Sequence, residues 1–569
     1  MADTLVYDLA SMTEGSPSVF VKKDWLSILD NQNGNYRGNQ SVIDTSQLSN
    51  SNKYMNYREA YLAVPLVLTA SGVPVATPAT TTTSMDYAYG LKNWYGSIIH
   101  SVTLDFNGTT IVQQTPFCGL WNVFKLMTSL SWADVATIGS SIGFYPDSAL
   151  SFSFASATST DGLGTCNTNN AGGVTPVAGI LNSYDSFNQG FLKRQQYINY
   201  DADGLTASGL SAYSALLTKT NASQFYKSQI YSKIDASDII QIQIMAIIYL
   251  KHIHSFFSNV PLLKGVFMKM TLNLNQTTVS DVCSASTSPT HTPTITSPLG
   301  GVSPILIASS RIGVASTASV LGVGPCGGSG CYLAGGGTQT VTLSVGREAF
   351  NAPTGAVASG LTNSIQLYVP AYTFNPVYEQ AYLSSPVKRI VYTDIYQYQV
   401  LSVTAGASFN NLITNGIAGI KSVLVLPFFT TAANAAVPPL TSPFDTAGGG
   451  TVSPLVALTN FNVVVSGQNM LYNTQKYGYE QWLHNTYGAN AVNGGLTDGI
   501  TSSLINQLEW ETLYSYYYVN CSRMLPVEES VPKSVSLIGT NLSAKNIDLY
   551  VFIEYQVEVS VDVLTGARV

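Results

Sequence analysis

Gly139-Ser140-Ser141-Ile142-Gly143 has the G-x-S-x-G spacing of a nucleophile elbow, the strained strand-to-helix turn that presents a serine to an acyl carbon. Here a helical stretch precedes the motif instead of a strand, so the match reads as chance. His252 and His254, two residues apart on what reads as a strand, could offer two imidazoles to a metal ion. No third ligand stands at recognisable spacing, and ordinary hydrogen bonding at a strand end is the simpler reading. His100, His291 and His484 are isolated. The six cysteines (Cys118, Cys166, Cys283, Cys326, Cys331, Cys521) form no CxxC pair and lie near no histidine at zinc-finger spacing. Cys326 and Cys331 could pair under oxidising conditions; free thiols made in a reducing compartment are the expectation.

The remaining candidates have bland readings too. Gly335–Gly337 and Gly448–Gly450 lack the following Lys-Ser/Thr of a phosphate loop. Glu528 with Glu529, and Asp235 with Asp238, sit in turn-like sequence, where neither carboxylate would be desolvated for acid–base work. Lys251, Lys264 and Lys269 beside Phe256, Phe257 and Phe267 resemble a basic-aromatic patch but read more simply as a solvated rim over buried rings. The sequons at Asn39, Asn107, Asn221, Asn275, Asn520 and Asn541 read as chance matches without a secretory signal. The sequence therefore assigns no catalytic, metal-binding or cofactor-binding residue and calls for no cofactor.

What must such residues be built on? The chain has 569 residues, 25 basic against 32 acidic, a net charge of −7, and only 10% charged residues where a soluble domain has about 25%. Ser, Thr, Asn, Gln and 34 tyrosines fill the polar positions. Neutral hydroxyls and amides leave water at lower cost than ions, and interface cores are poor in charge and rich in Tyr, so this surface suits burial against neighbours. A secreted β protein with a Ser/Thr-rich surface has the same composition. The acidic total argues against sequence-independent nucleic-acid binding. Met1–Met12 lacks the basic and apolar regions of a secretory signal, and the most apolar run, Ile239–Leu250, is interrupted by Gln241 and Gln243 and reads as a buried strand, not a membrane span.

β-branched and aromatic runs predict strands over Leu62–Thr69, Ile98–Phe106, Gln229–Ile234, Ile239–Leu250, Val266–Leu274, Thr340–Val345, Ile365–Phe374, Ile390–Val400, Val423–Phe429, Phe461–Val465, Leu513–Val519 and Leu549–Val561. Helices are predicted over Pro116–Leu130 and Lys476–Tyr487, capped by Thr115 and Thr474. Val102–Thr115 aligns without a gap on Phe461–Thr474, with Gly108 over Gly467. Pro65, Asp24 and Trp121 find counterparts in Pro427, Asp394 and Trp482, in the same order. Four landmarks in register predict one β plan used twice: a first domain over 1–385 and a second over 386–569. The excess of the first falls in Ser151–Ser223 and Thr277–Thr338, which read as long surface loops. Sandwiches of this length with one short helix each fit jelly rolls better than immunoglobulin modules. The expected fold is all-β: two jelly-roll sandwiches in tandem, a double jelly roll, with short helices and long loop insertions in the first.

The segments His254–Asn275 and Ile365–Val400, above all Tyr-Val-Pro-Ala-Tyr-Thr-Phe at Tyr368–Phe374, together with the paired strand-helix units, resemble the major capsid proteins of virophages and polinton-like viruses, of the double jelly-roll lineage. The resemblance implies two upright jelly rolls per chain, a homotrimeric capsomer of six-sided outline, and an icosahedral shell around double-stranded DNA. It also implies penton and other minor capsid partners, and a place in the virion after assembly inside the host cell. It brings no active-site residues. A carbohydrate-binding β-sandwich surface protein, such as a lectin or adhesin, is the alternative; a cupin-type enzyme is disfavoured because no metal-ligand cluster is present.

Overall fold

The computed structural model describes residues 18–49, 51–71, 87–113, 115–147, 189–194, 230–234, 240–283, 291–297, 299, 302–309, 337–346, 364–430, 440–441, 452, 456–472, 476–487, 504–522, 530–565 and 568. The strands, in chain order, begin with β1 Phe20–Leu29, β2 Gln40–Asp44, β3 Tyr54–Met55, β4 Tyr61–Ser71, β5 Tyr87–Leu91, β6 Ile99–Phe106 and β7 Thr109–Val112. There follow β8 Ile230–Ile234, β9 Ile240–Tyr249, β10 Met268–Leu274, β11 Thr277–Cys283, β12 His291–Thr296, β13 Ile305–Ser309, β14 Gly337–Val345 and β15 Gln366–Phe374. The last group is β16 Val387–Val403, β17 Ser408–Ile417, β18 Ile420–Phe429, β19 Leu458–Val465, β20 Gln468–Asn469, β21 Tyr517–Asn520, β22 Lys533–Asn541 and β23 Ile547–Asp562.

The sheets make the duplication explicit. In the first half, β1, β15, β4 and β9 lie side by side in one sheet and β2, β10, β6 and β7 in another; in the second half, β16-β23-β18-β21 faces β17-β22-β19-β20. Taken in chain order, β1, β2, β4, β6, β7, β9, β10 and β15 match β16 to β23 one for one. Each set puts its first, eighth, third and sixth strands in one sheet and its second, seventh, fourth and fifth in the other. That is the jelly-roll order; the chain is a double jelly roll of two antiparallel sandwiches, in each of which the two sheets cover each other's apolar faces.

The aligned landmarks hold with one correction. Asn107-Gly108 (φ 45° and 81°) and Ser466-Gly467 (φ 48° and 82°) both have the positive φ pair of a type I′ hairpin, which is why glycine recurs there. Asp24 pairs with Ala371 and Asp394 with Tyr555. Stepping from these pairs, Tyr368 faces Tyr61 while Phe552 faces Leu424, so Pro65 corresponds to Phe428, not to Pro427. A slip of one residue reverses the face: Pro65 points away from its sandwich and Pro427 into it.

Other expectations need correcting. The first helix spans Cys118–Ser129 and starts after Phe117 in a left-handed conformation (φ 56°), with no side-chain cap. Thr115 instead donates to the Ile395 carbonyl (3.0 Å). The second spans Tyr479–Tyr487; Lys476 bridges to Thr459, and Thr474 lies outside the described residues. Thr277–Thr338 is no plain loop, for it supplies β11, β12 and β13 and the start of β14. Thr and Ser hid these strands, because their hydroxyls pair across the ladder (Thr278 with Thr342 at 3.1 Å, Ser280 with Thr340 at 3.2 Å) while Val279 enters the core. Within Ser151–Ser223 the structure describes a short helix, Gln189–Arg194. The start of Leu513–Val519 is the turn after a helix, Gln507–Thr512, with a capping box from Asn506 and Glu509; its end is β21.

Antiparallel order fixes which end each connection leaves from. The long segments 72–98, 113–239 and 275–365 all follow odd-numbered strands of the first roll and exit at one end. The start of β1, the β15–β16 link with its helix Pro376–Leu383, and the end of β23 lie at the other.

Candidate assembly surfaces

The residues singled out for chemistry do not converge. Ser140 and Ser141 lie in the last turn of the helix Trp132–Ile142, which closes on Gly143 at φ 65°; Ser141 donates to the Ile138 carbonyl (2.7 Å). His252 and His254 are not on a strand: the former is in the short helix Leu250–Ile253 and the latter caps it. His254 accepts the Phe256 amide on Nδ1 (3.1 Å), which leaves Nε2–H to donate to Asp394 of the second roll (3.3 Å). Lys264 pairs with Glu379 (3.1 Å), Lys251 lies over the Tyr249 ring and Lys269 is exposed on β10, so no basic patch forms. Cys118 and Cys521 are buried, and burial pushes both thiols up to about 12. Asn275 and Asn541 are buried too: Asn275 donates to the Val302 carbonyl (2.8 Å) and accepts from the Ser297 hydroxyl (2.7 Å), and the Asn541 side chain ties several backbone groups. Among the described residues no three His, Cys, Asp or Glu side chains gather as metal ligands, and no helix is long and apolar enough to cross a membrane. Cys166, Cys326, Cys331, Asp235, Asp238, Glu528, Glu529, Asn221, Gly335, Gly336 and Gly448–Gly450 lie outside the described residues.

His252 has a thermodynamic consequence. Its ring packs edge-on to Trp94 and Tyr249, and burial first, then Lys251, lowers its pKa from 6.5 to about 4. A base harder to protonate when folded leaves stability intact above pH ~6.5 and removes it as pH falls towards ~4, by about 3 kcal/mol in all. In His252→Phe that share of the acid-side slope is expected to vanish when urea unfolding is compared at pH 7 and pH 4.5. Equal slopes in the two proteins would refute the assignment.

The two rolls meet along a buried seam. Phe117 and Trp121, on the first roll's helix, pack on Tyr550 and Phe552 of β23 (ring centroids 5.3 and 6.3 Å), and Phe124 reaches Trp482, Tyr516 and Tyr518 at 6.2, 5.3 and 5.6 Å. Tyr392 donates to the Ile111 carbonyl (2.6 Å), Asn259 to that of Val391 (2.9 Å), and Ser255 to that of Thr393. One apolar cluster runs through both sandwiches. The outer face of the β16-β23-β18-β21 sheet is thus covered by the first roll. This explains why β18, Ile-Lys-Ser-Val-Leu-Val-Leu-Pro-Phe-Phe, is apolar on both faces instead of alternating.

On the matching face of the first roll Ala63, Pro65, Val67 and Met245 are buried, and the end that carries Trp25 is exposed. Leu62, Val64, Leu367, Val369, Ala246 and Ile248 point into the sandwich. The opposite face carries Trp25, Tyr61, Tyr368 and Tyr249 in a row across four strands. Tyr61 stacks on Tyr368 (5.1 Å, 15°) and meets Trp25 and Tyr249 at 5.7 and 5.9 Å. Trp25 is 51% exposed, with Val21 and Leu29 exposed on the same strand. Sequence reading missed this row; the signal was an aromatic ring on the polar side of an alternating strand, Lys22-Lys23-Asp24-Trp25.

No protein-family model matches the chain, and no curated protein matches it significantly. Among solved structures it is similar to a chain of the Sputnik virophage determined by cryo-EM (10% identity, 98% of this chain and 90% of that one, TM-score 0.48). It is also similar to the mavirus major capsid protein (9%, 99% and 94%, 0.46) and to the Faustovirus major capsid protein (9%, 98% and 94%, 0.43). The fold assignment rests on the strand order given above.

Proposed function

We propose that this chain is a viral major capsid protein, of the kind found in virophages and polinton-like viruses, whose activity is self-assembly. Three copies, each contributing two jelly rolls, form a capsomer with a six-sided outline, and capsomers close an icosahedral shell around a double-stranded DNA genome. The observation that carries this reading is the one-for-one strand correspondence between two rolls fused side by side: three times two like modules approximate a hexagon. The arrangement of connections supports an orientation, with the long first-roll segments outward and the chain termini inward, towards neighbours. In this reading the first domain runs over 1–385 and the second over 386–569. No step in this role needs a cofactor or a catalytic residue. Partners are other copies of the chain together with penton and minor capsid proteins, and the protein resides in the virion after intracellular assembly.

Trimerisation would withdraw open sheet edges and apolar side chains from water, while weaker contacts between capsomers would let errors anneal. Purified protein is expected to have three times the chain mass of 60.7 kDa by light scattering and to show six-sided particles by negative-stain microscopy. A stable monomer at tens of micromolar, above all one that binds glycans through its exposed aromatic rings, would overturn the proposal in favour of a lectin.

A further inference from the structure

We propose that Asn415-Gly416, near the end of β17, is a site at which the folded chain modifies itself: the asparagine deamidates through a cyclic imide, faster than at the other Asn-Gly pairs the structure describes. The reaction belongs to one chain and is independent of the capsomer reading.

The chemistry is that of neighbouring amides. The backbone nitrogen of the following residue attacks the asparagine Cγ, the side-chain amide leaves with that nitrogen's proton as ammonia, and a succinimide ring closes. Water then opens the ring at either carbonyl and leaves aspartate or isoaspartate. A following glycine has no Cβ to hinder the attack, so every Asn-Gly pair is competent in itself. The fold decides which can react, because the side chain must turn back onto the next amide, and a tethered side chain or a buried turn prevents that.

The sequence has four such pairs, at Asn33, Asn107, Asn415 and Asn493, the last of which lies outside the described residues. Asn107 is held at both ends of its side chain: Oδ1 accepts from the Phe267 amide (3.0 Å) and Nδ2 donates to the Thr565 carbonyl (2.5 Å). After Asn33, Gly34 is buried, and the turn is fastened by the Asp30 carboxylate, which accepts from the Gln32 and Asn33 amides. Asn415 and Gly416 are both exposed, and the Asn415 side chain has no hydrogen-bond partner among the described residues. The pair stands in a bulge: Thr414 faces Val535 and Ile417 faces Lys533, so two residues of β17 oppose Ser534 alone. The Gly416 amide donates to Thr414 Oγ1 at 3.5 Å, too long to hold it firmly, and the space where a Cβ would sit is open.

The product matters because of where it falls. β17 is an edge strand, and Ser408–Ile417 contains no charged residue. Charge on an edge is one of the devices that keep foreign strands from pairing with it. Deamidation turns this edge from neutral to negative with time.

The first test needs no variant. The purified chain is incubated in mildly alkaline buffer, digested and mapped by mass spectrometry, with isoaspartate labelled by an isoaspartyl methyltransferase. Asn415 is expected to convert roughly tenfold faster than Asn33 and Asn107, whereas in concentrated urea the rates should converge, because protected pairs react only through opening. Isoaspartate should be among the products at Asn415, and Gly416→Ala, for which the fold has room, should suppress them. Equal rates in the folded chain, aspartate without isoaspartate, or a Gly416→Ala chain that reacts undiminished would overturn the proposal. For the consequence, Asn415→Asp is compared with Asn415→Gln by light scattering on prolonged incubation. The aspartate variant should stay free of aggregates for longer, and equal behaviour would overturn the role given to the charge.

Discussion

Replacing Phe124 by alanine is expected to cost about 3–5 kcal/mol and to lower the stability of both rolls together. The ring is fully buried and belongs to a first-roll helix, yet besides Trp121 (5.3 Å) its ring neighbours are second-roll residues, Trp482, Tyr516 and Tyr518. Alanine suits the helix better than phenylalanine does, so the loss is one of packing. A cavity at this place has walls from both sandwiches, and neither can collapse into it without moving the other. Circular dichroism and tryptophan fluorescence should give coincident unfolding curves for the native chain and, at lower denaturant, for the variant. Two separated transitions, with only the first displaced by the substitution, would show that the rolls fold as independent units and that the seam is a weak contact.

That seam marks where sequence reading stops. Alternation identified the strands of both sandwiches, and the gapless match around Gly108 and Gly467 identified the repeat, because a type I′ turn admits few residues at its second central position. Periodicity could not show which faces are covered by another domain. The clue was the run Val423–Phe429, apolar at every position, which is as consistent with a short buried helix as with a strand buried on both sides. The tyrosines were misplaced in part: they suggested contacts between subunits, and Tyr514, Tyr516, Tyr517 and Tyr518 lie buried at or beside the seam within one chain. Paired hydroxyls make this possible at several positions: the Tyr517 hydroxyl accepts from the Leu458 amide (3.1 Å), the Tyr514 hydroxyl accepts from the Asp147 amide (2.8 Å), and the Tyr477 hydroxyl donates to the Tyr518 carbonyl and accepts from its amide. A tyrosine that can satisfy its own polar end serves in a core as well as in an interface. The β11 and β12 strands escaped for a related reason: hydroxyl side chains at inward positions, such as Thr277, look polar in the sequence and are buried in the fold. The Pro65 slip has a simpler origin, for a sequence alignment without the ladder cannot detect an offset of one residue.

The second large effect is expected at Asp147, which no motif points to. Its carboxylate takes a hydrogen bond from Arg194 (2.6 Å), with the two side chains 1% and 2% exposed. The guanidinium also donates to the carbonyls of Leu91 (3.2 Å) and Tyr145, and the Asp147 amide donates to the Tyr514 hydroxyl of the second roll (2.8 Å). Three stretches from two connections at the same end of the first roll, one after β4 and two within 113–239 (after the Trp132–Ile142 helix and before β8), are thus bound to one another and to the neighbouring roll. An ion pair this deep is worth little against an apolar pair of the same volume, but breaking it on one side strands a charge out of water. Asp147→Leu alone should therefore cost about 3–5 kcal/mol, whereas Asp147→Leu with Arg194→Met should recover most of that loss. Chemical denaturation of the two single variants and the double variant measures the coupling. If the double variant is as unstable as the sum of the singles, the pair is not coupled, and the three segments owe their common base to packing around Leu91 and Tyr145 instead of to the buried charge.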